Sequence, residues 1–148
     1  MADKTTDTSD SGFSEDELAA MKQRAAELRA AKKGGAKKAD EAEACVEAIT
    51  ALPQPDRGLA EAIHRIVLEV APELDPKTWY GFPSYARDGK VVTFVQPASK
   101  FDTRYTTVAF QEDAHIDDGP MWATSFAVVE WTDAVEKQLR ALVKRVDG

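Results

Sequence analysis

The chain has 148 residues, 43% of them hydrophobic and 30% charged, with a formal net charge of −7. These are the proportions of one soluble globular domain, not of a fibrous or wholly disordered chain. Its single cysteine, Cys45, excludes an intrachain disulfide, and no run approaches the roughly 18 apolar residues that span a bilayer. Ala2 to Ser14 is polar and acidic where a secretory signal would be apolar, so the expected compartment is cytoplasmic, with no membrane partner. Residues 1–38 carry 8 basic and 7 acidic side chains, whereas residues 39–148 carry 11 and 19. A body this acidic repels phosphate backbones, leaving Lys32, Lys33, Lys37 and Lys38 as the one cluster suited to nucleic acid. Its form, KKGGAKK, reads as a solvated helix end and linker, so a nucleic-acid partner is not expected.

Residues 1–13 hold too little apolar surface to offset the entropy of ordering them, which predicts a disordered tail. Residues 14–55 read as a helical extension. Ser14 with Glu17 is a capping-box pattern, and Leu18, Met21, Ala25 and Leu28 then recur at helical spacing until Gly34 and Gly35. So thin a stripe predicts weak docking on the body or on a protein partner. Asp40 with Glu43 predicts a second helix that turns Cys45, Ala48, Ile49 and Leu52 one way before Pro53 and Pro55 end it.

The third unit, residues 56–148, reads as an α+β domain. Asp56 is the expected cap of a helix whose Leu59, Ile63, Ile66, Val67 and Val70 share one face. Thr132 caps another with Val135, Leu139, Leu142, Val143 and Val146 at the same offsets. Neither helix is stable alone at this length, so both must bury their stripes on what lies between them. That segment holds eleven of the twelve aromatic residues, with the β-branched runs Val91 to Val95 and Tyr105 to Val108. Asp88-Gly89 predicts a tight hairpin turn, with further strands near Tyr105 to Phe110 and Phe126 to Glu130. The expected architecture is a two-layer sandwich, an antiparallel sheet of four to five strands with the terminal helices on one face.

The run Trp79-Tyr80-Gly81-Phe82-Pro83-Ser84-Tyr85, after Ala71-Pro72-Glu73-Leu74 and before Asp88-Gly89-Lys90-Val91, resembles the YdhG-like family of uncharacterised bacterial domains. The resemblance covers residues 56–146 in element order. It implies a frataxin-like fold, and some relatives are described as intracellular iron chaperones, which implies metal handling. Fold alone does not establish a function.

On the first domain helix, Glu61, Glu69 and Glu73 form a candidate acidic ridge, but Arg65 sits four residues after Glu61, the spacing of a helix-stabilising pair. A denser acidic stretch is Glu112 to Gly119. There Asp113, His115, Asp117 and Asp118 are the candidate metal ligands, hard oxygens and one imidazole suited to Fe(II) or another divalent ion. The spacing matches no calcium loop and no zinc motif, and acids in such a turn are ordinarily solvated. The other candidate cluster is aromatic: Trp79, Tyr80, Phe82, Tyr85, Phe101, Arg104, Tyr105 and Trp122. Of these, Trp79, Tyr85, Arg104, Tyr105 and Trp122 are the candidate ligand-binding residues, apolar bodies with polar tips beside a guanidinium fork. His64 is expected to pack at a helix edge. Catalysis is not expected, because Cys45 lies on a buried-looking stripe, no glycine-rich loop, nucleophile elbow or CxxC is present, and nothing brings Ser84 to His115. Two functions remain: an accessory protein that binds iron or another divalent metal weakly, or a non-enzymatic module that holds a small ligand or protein on an aromatic sheet face.

Overall fold

The structure, a computed structural model, describes residues 12–32 and 38–147. Residues 1–11 of the expected tail and Lys33 and Lys37 of the basic cluster lie outside the described residues. The capping box at Ser14 forms reciprocally. Ser14 N–H donates to Glu17 Oε1 at 2.9 Å and Glu17 N–H to Ser14 Oγ at 3.1 Å, starting helix α1 (Glu15–Lys32). The buried face of α1 differs from the expected one. Leu18, Met21 and Leu28 remain 40–52% exposed, while Ala20 is buried.

Helix α2 (Lys38–Thr50) starts before the expected Asp40 cap, so Asp40 and Glu41 instead place negative charge in its first turn, at the positive end of the helix dipole. It buries Cys45 and Ile49. Helix α3 (Asp56–Val70) buries Leu59, Ala60, Ile63, Ile66 and Val67, the predicted stripe less Val70. Asp56 does not cap it. Gln54 Oε1 accepts from Gly58 N–H at 3.0 Å in that role, and the buried Asp56 carboxylate accepts from Ser99 N–H at 2.7 Å. Ser99 lies in the four-residue helix α4 (Ala98–Phe101), whose preceding residue, Pro97, has no side-chain cap to offer.

Five strands form one antiparallel sheet in chain order: β1 (Asp75–Trp79), β2 (Phe82–Arg87), β3 (Lys90–Gln96), β4 (Thr106–Phe110) and β5 (Ser125–Val128). The first two hairpins turn in two residues each. Tyr80-Gly81 has φ of 54° and 83°, and Asp88-Gly89 has φ of 51° and 82°, the left-handed pair whose twist suits a tight hairpin. Helix α5 (Asp133–Lys144) follows, capped as predicted by the Thr132 side chain, which accepts from Val135 N–H.

Alternation sorts the side chains onto two faces. Tyr85, Val92, Val95, Val108, Phe110 and Val128 point inward and share a single core with α2, α3 and α5. At about 1.5–3 kcal/mol per fully buried aliphatic or aromatic side chain, this layer supplies most of the apolar driving force. Trp79, Phe82 and Phe94 contact one another outside that core, on the opposite face, where α1 lies. The expected α+β sandwich is the observed one.

Candidate functional site

Trp79 meets Tyr80, Phe82 and Phe94 edge to face, as Phe101 meets Phe82, while the Phe82 and Phe94 rings are tilted by 35°. Trp79 and Phe94 have ring centroids 5.3 Å apart, Phe82 and Phe94 are 5.4 Å apart, and Phe101 on α4 stands 5.9 Å from Phe82. Tyr80, at the turn, lies 5.1 Å from Trp79. These spacings and tilts are those favoured by the ring quadrupoles. One turn and one bulge bring the rings together. The Tyr80-Gly81 turn sets Trp79 opposite Phe82, and a shift in the β2–β3 register at Tyr85/Ala86 sets Ser84 opposite Phe94.

α1 is seated over this patch mainly by polar contacts. The Glu27 carboxylate accepts from Tyr80 N–H at 3.3 Å and Gly81 N–H at 3.1 Å, occupying two turn donors that no strand partner reaches. Arg24 lies over the Tyr80 ring at 5.9 Å, and Lys100 Nζ donates to Gln23 Oε1 at 2.7 Å. Burial disfavours the charged form of Lys100 and lowers its pKa. Because small Ala20 faces the rings, an open groove of about 330 Å³ remains between helix and sheet. Phe13, Glu17 and Met21 line it on one side, and Trp79, Phe82, Phe94 and Gln96 on the other. Phe13 thus belongs to the groove and not to the tail.

Of the predicted ligand-binding residues, only Trp79 lines this groove. Tyr85 is fully buried on the inner face, separated from Trp79 by the sheet. Its hydroxyl is 2.9 Å from His64 Nδ1, and the Cys45 thiol is its other neighbour. Burial pushes the Tyr85 phenol well above its ordinary pKa, the Cys45 thiol up to about 11, and His64 below its ordinary value. Arg104 stacks on its own chain neighbour Tyr105, 5.4 Å from the ring centroid, and Trp122 lies 38% exposed between β4 and β5. Tyr85, with no exposed surface, shares no open concavity with Arg104 and Trp122. Tyr80, Phe82 and Phe101 of the wider set do join Trp79, and Phe94, Met21, Glu17 and Gln96 were not foreseen.

Asp113, His115, Asp117 and Asp118 do not converge. Ala114 and Ile116 are buried at alternate positions, which turns His115 and Asp117 outward to exposure. His115 N–H donates to Val146 O at 2.8 Å and the Arg145 guanidinium holds Ile116 O, fastening the loop to the end of α5 by its backbone. The acidic ridge is dispersed too. Arg65 pairs with Glu136 instead of Glu61, Glu69 with Arg140, and Glu73 shares a hydrogen bond with Asp147, which raises the Glu73 pKa and lowers that of Asp147. Among the described residues, no three His, Cys, Asp or Glu side chains group to hold a metal ion. The Ser84 hydroxyl donates to Lys77 O at 3.1 Å inside the β1–β2 pair.

No helix among the described residues is long and apolar enough to cross a membrane. No family model, curated protein or solved structure matches the chain.

Proposed function

We propose that the protein is an accessory protein of the YdhG-like type that works by holding a small ligand, and that the groove between α1 and the outer sheet face is its ligand site. The observation that carries this is the open aromatic groove itself: large rings gathered on one sheet face and roofed by a helix that turns an alanine toward them. Apolar walls with few polar groups are the general form of small-molecule sites. Glu17, which spends Oε1 on the Ser14 N–H, and Gln96 add polar groups to the lining of the groove. The favoured ligand is a flat apolar body carrying an ammonium or another donor. Family resemblance in element order supports the accessory role, while the dispersal of the candidate acids takes away the residues on which metal binding was expected.

The test is a titration of the ¹⁵N-labelled protein with 2-phenylethylamine, followed by NMR. Expected are saturable shifts at the Trp79 indole and the Gly81 amide, weaker with phenylacetate, and none at the Trp131 indole. No saturable shift at Trp79, or equal affinity for phenylacetate, overturns the proposal. Fe(II) added to the same sample and broadening residues 112–118 selectively would restore the metal function in its place.

A further inference from the structure

A second groove lies in the other layer, between α2 and α3. It has a volume of about 390 Å³, with Val46, Ile49 and Leu68 as apolar walls and His64 among its polar lining. Val46 and Leu68 are each 46% exposed, which leaves the walls accessible. His64 is tied to the core by a polar contact, its Nδ1 lying 2.9 Å from the buried Tyr85 hydroxyl.

That contact fixes which hydrogen the ring shows to the groove. Tyr85 has two polar neighbours, the imidazole nitrogen and the Cys45 thiol. A phenol is the strongest donor of the three groups and an imidazole nitrogen the strongest acceptor, whereas sulfur is weak in both roles. The preferred arrangement is therefore Tyr85 O–H donating to Nδ1, with the thiol donating weakly to the Tyr85 oxygen. The imidazole proton then sits on Nε2. Among the described residues no buried side-chain nitrogen or oxygen lacks a partner, and His64 Nε2 bonds to none of them, so solvent reaches it.

The charges at the rim narrow the ligand class. Arg65 and Glu69 are committed to Glu136 and Arg140 on α5, leaving the Glu61 carboxylate as the uncompensated charge. It repels an anion, and the Nε2–H donor is satisfied by an acceptor oxygen, which an ammonium does not carry. We infer that the α2–α3 groove is a binding site for a small neutral molecule with an apolar body and a carbonyl oxygen, which His64 Nε2–H recognises while Tyr85 holds the ring in that tautomer. His64 touches the ligand, and Tyr85 acts through His64 as a positioning residue.

The probe is acetophenone, with ethylbenzene, benzoate and benzylamine as matched controls lacking the neutral acceptor, and the readout is NMR of the full chain. Long-range ¹H–¹⁵N spectra of His64 are expected to show the Nε2–H tautomer. Acetophenone is expected to shift the His64 ring nitrogens and the Val46 and Leu68 methyls saturably, and more tightly than any control. His64→Phe keeps the ring volume and is expected to weaken binding about ten-fold, the upper range for loss of one hydrogen bond. Tyr85→Phe is expected to mix the tautomers in the ¹⁵N pattern and weaken binding about two-fold. Leu68→Glu, at an exposed position, is expected to abolish it in a chain that still gives the parent spectrum. An Nδ1–H pattern, equal affinity for ethylbenzene or benzoate, unchanged affinity in His64→Phe, or shifts confined to Trp79 and Gly81 each overturn the inference. The last result would assign acetophenone to the outer groove, so the two sites fail separately.

Discussion

The two faces of the sheet are covered by different means. On the inner face, α3 and α5 press continuous apolar stripes onto Tyr85, Val92, Val95 and Val108, and are then stitched together by Arg65, Glu136, Arg140 and Glu69. On the outer face, α1 buries Ala20 and otherwise depends on Glu27, Arg24 and Gln23, each engaging a turn or a side chain at one end of the sheet. Density of apolar contact decides which helix is integral and which is merely seated. Regions with few buried apolar contacts open at lower free energy than the core, and binding sites draw on them. The outer groove owes its openness to that economy of contact.

The sharpest way to break the comparison is to truncate each side. Ile66 is fully buried beneath α3, and Ile66→Ala is expected to cost about 2–5 kcal/mol in urea unfolding, the range for large-to-small core changes. Leu28→Ala on α1, 52% exposed, is expected to stay within about 0.5 kcal/mol. Comparable losses at both sites would make α1 an integral part of the core. Next in size comes Asp56→Ala. Removing the carboxylate that accepts from Ser99 N–H is expected to cost about 1–3 kcal/mol, read as a lower urea midpoint, because it strands a part-buried donor and unties the start of α3 from α4. A midpoint within error of the parent would show that water replaces the contact.

Gly81→Ala attacks the outer face alone. At φ of +83° an added Cβ is strained, and it would overlap Gln23 Oε1 unless Gln23 leaves Lys100. A loss of about 1–2 kcal/mol follows from the left-handed backbone. The diagnostic change is faster amide exchange along α1 with the α3 and α5 amides unaffected, and uniform loss of protection in all three helices would contradict the proposed independence of the outer helix.

The inner face was legible in the sequence because a helical stripe of five apolar residues has one physical use. The offsets at Leu59 to Val67 and Leu139 to Val146 needed only a sheet to cover, and Asp88-Gly89 fixed one hairpin within it. The outer site was not legible, for three reasons. First, β1 reads as Asp-Pro-Lys-Thr-Trp, with little strand character, so its pairing and the Tyr80-Gly81 turn had no signal except a glycine. Second, parity along β3 changes at the bulge opposite Tyr85/Ala86. Counting residues back from the turn sets Thr93, not Phe94, opposite Ser84, and Tyr85 was grouped with rings that lie across the sheet. Third, α1 docks with the polar side of its helix, which a search for apolar periodicity passes over. The acidic loop misled by composition: four carboxylates in eight residues suggest convergence, but buried Ala114 and Ile116 decide where the loop points.

The smallest expected effect lies in the stitching of the inner face. Glu136 accepts from Arg65 and from Arg140 Nε at 2.9 Å, and these guanidinium contacts depress its pKa from the ordinary 4.5 to about 2. A carboxyl lowered in the folded state adds stability above its unfolded value, and that contribution is lost as pH falls from about 4.5 toward 2. Urea midpoints measured across that window should fall less steeply for Glu136→Gln than for the parent. Added salt should shrink the difference between the two chains, because the group is partly open to solvent and so screened. The same slope for both would remove Glu136 as a contributor. If the salt-sensitive difference appears while Ile66→Ala still dominates, apolar burial holds the inner face and the ion pairs only set how α5 lies along α3.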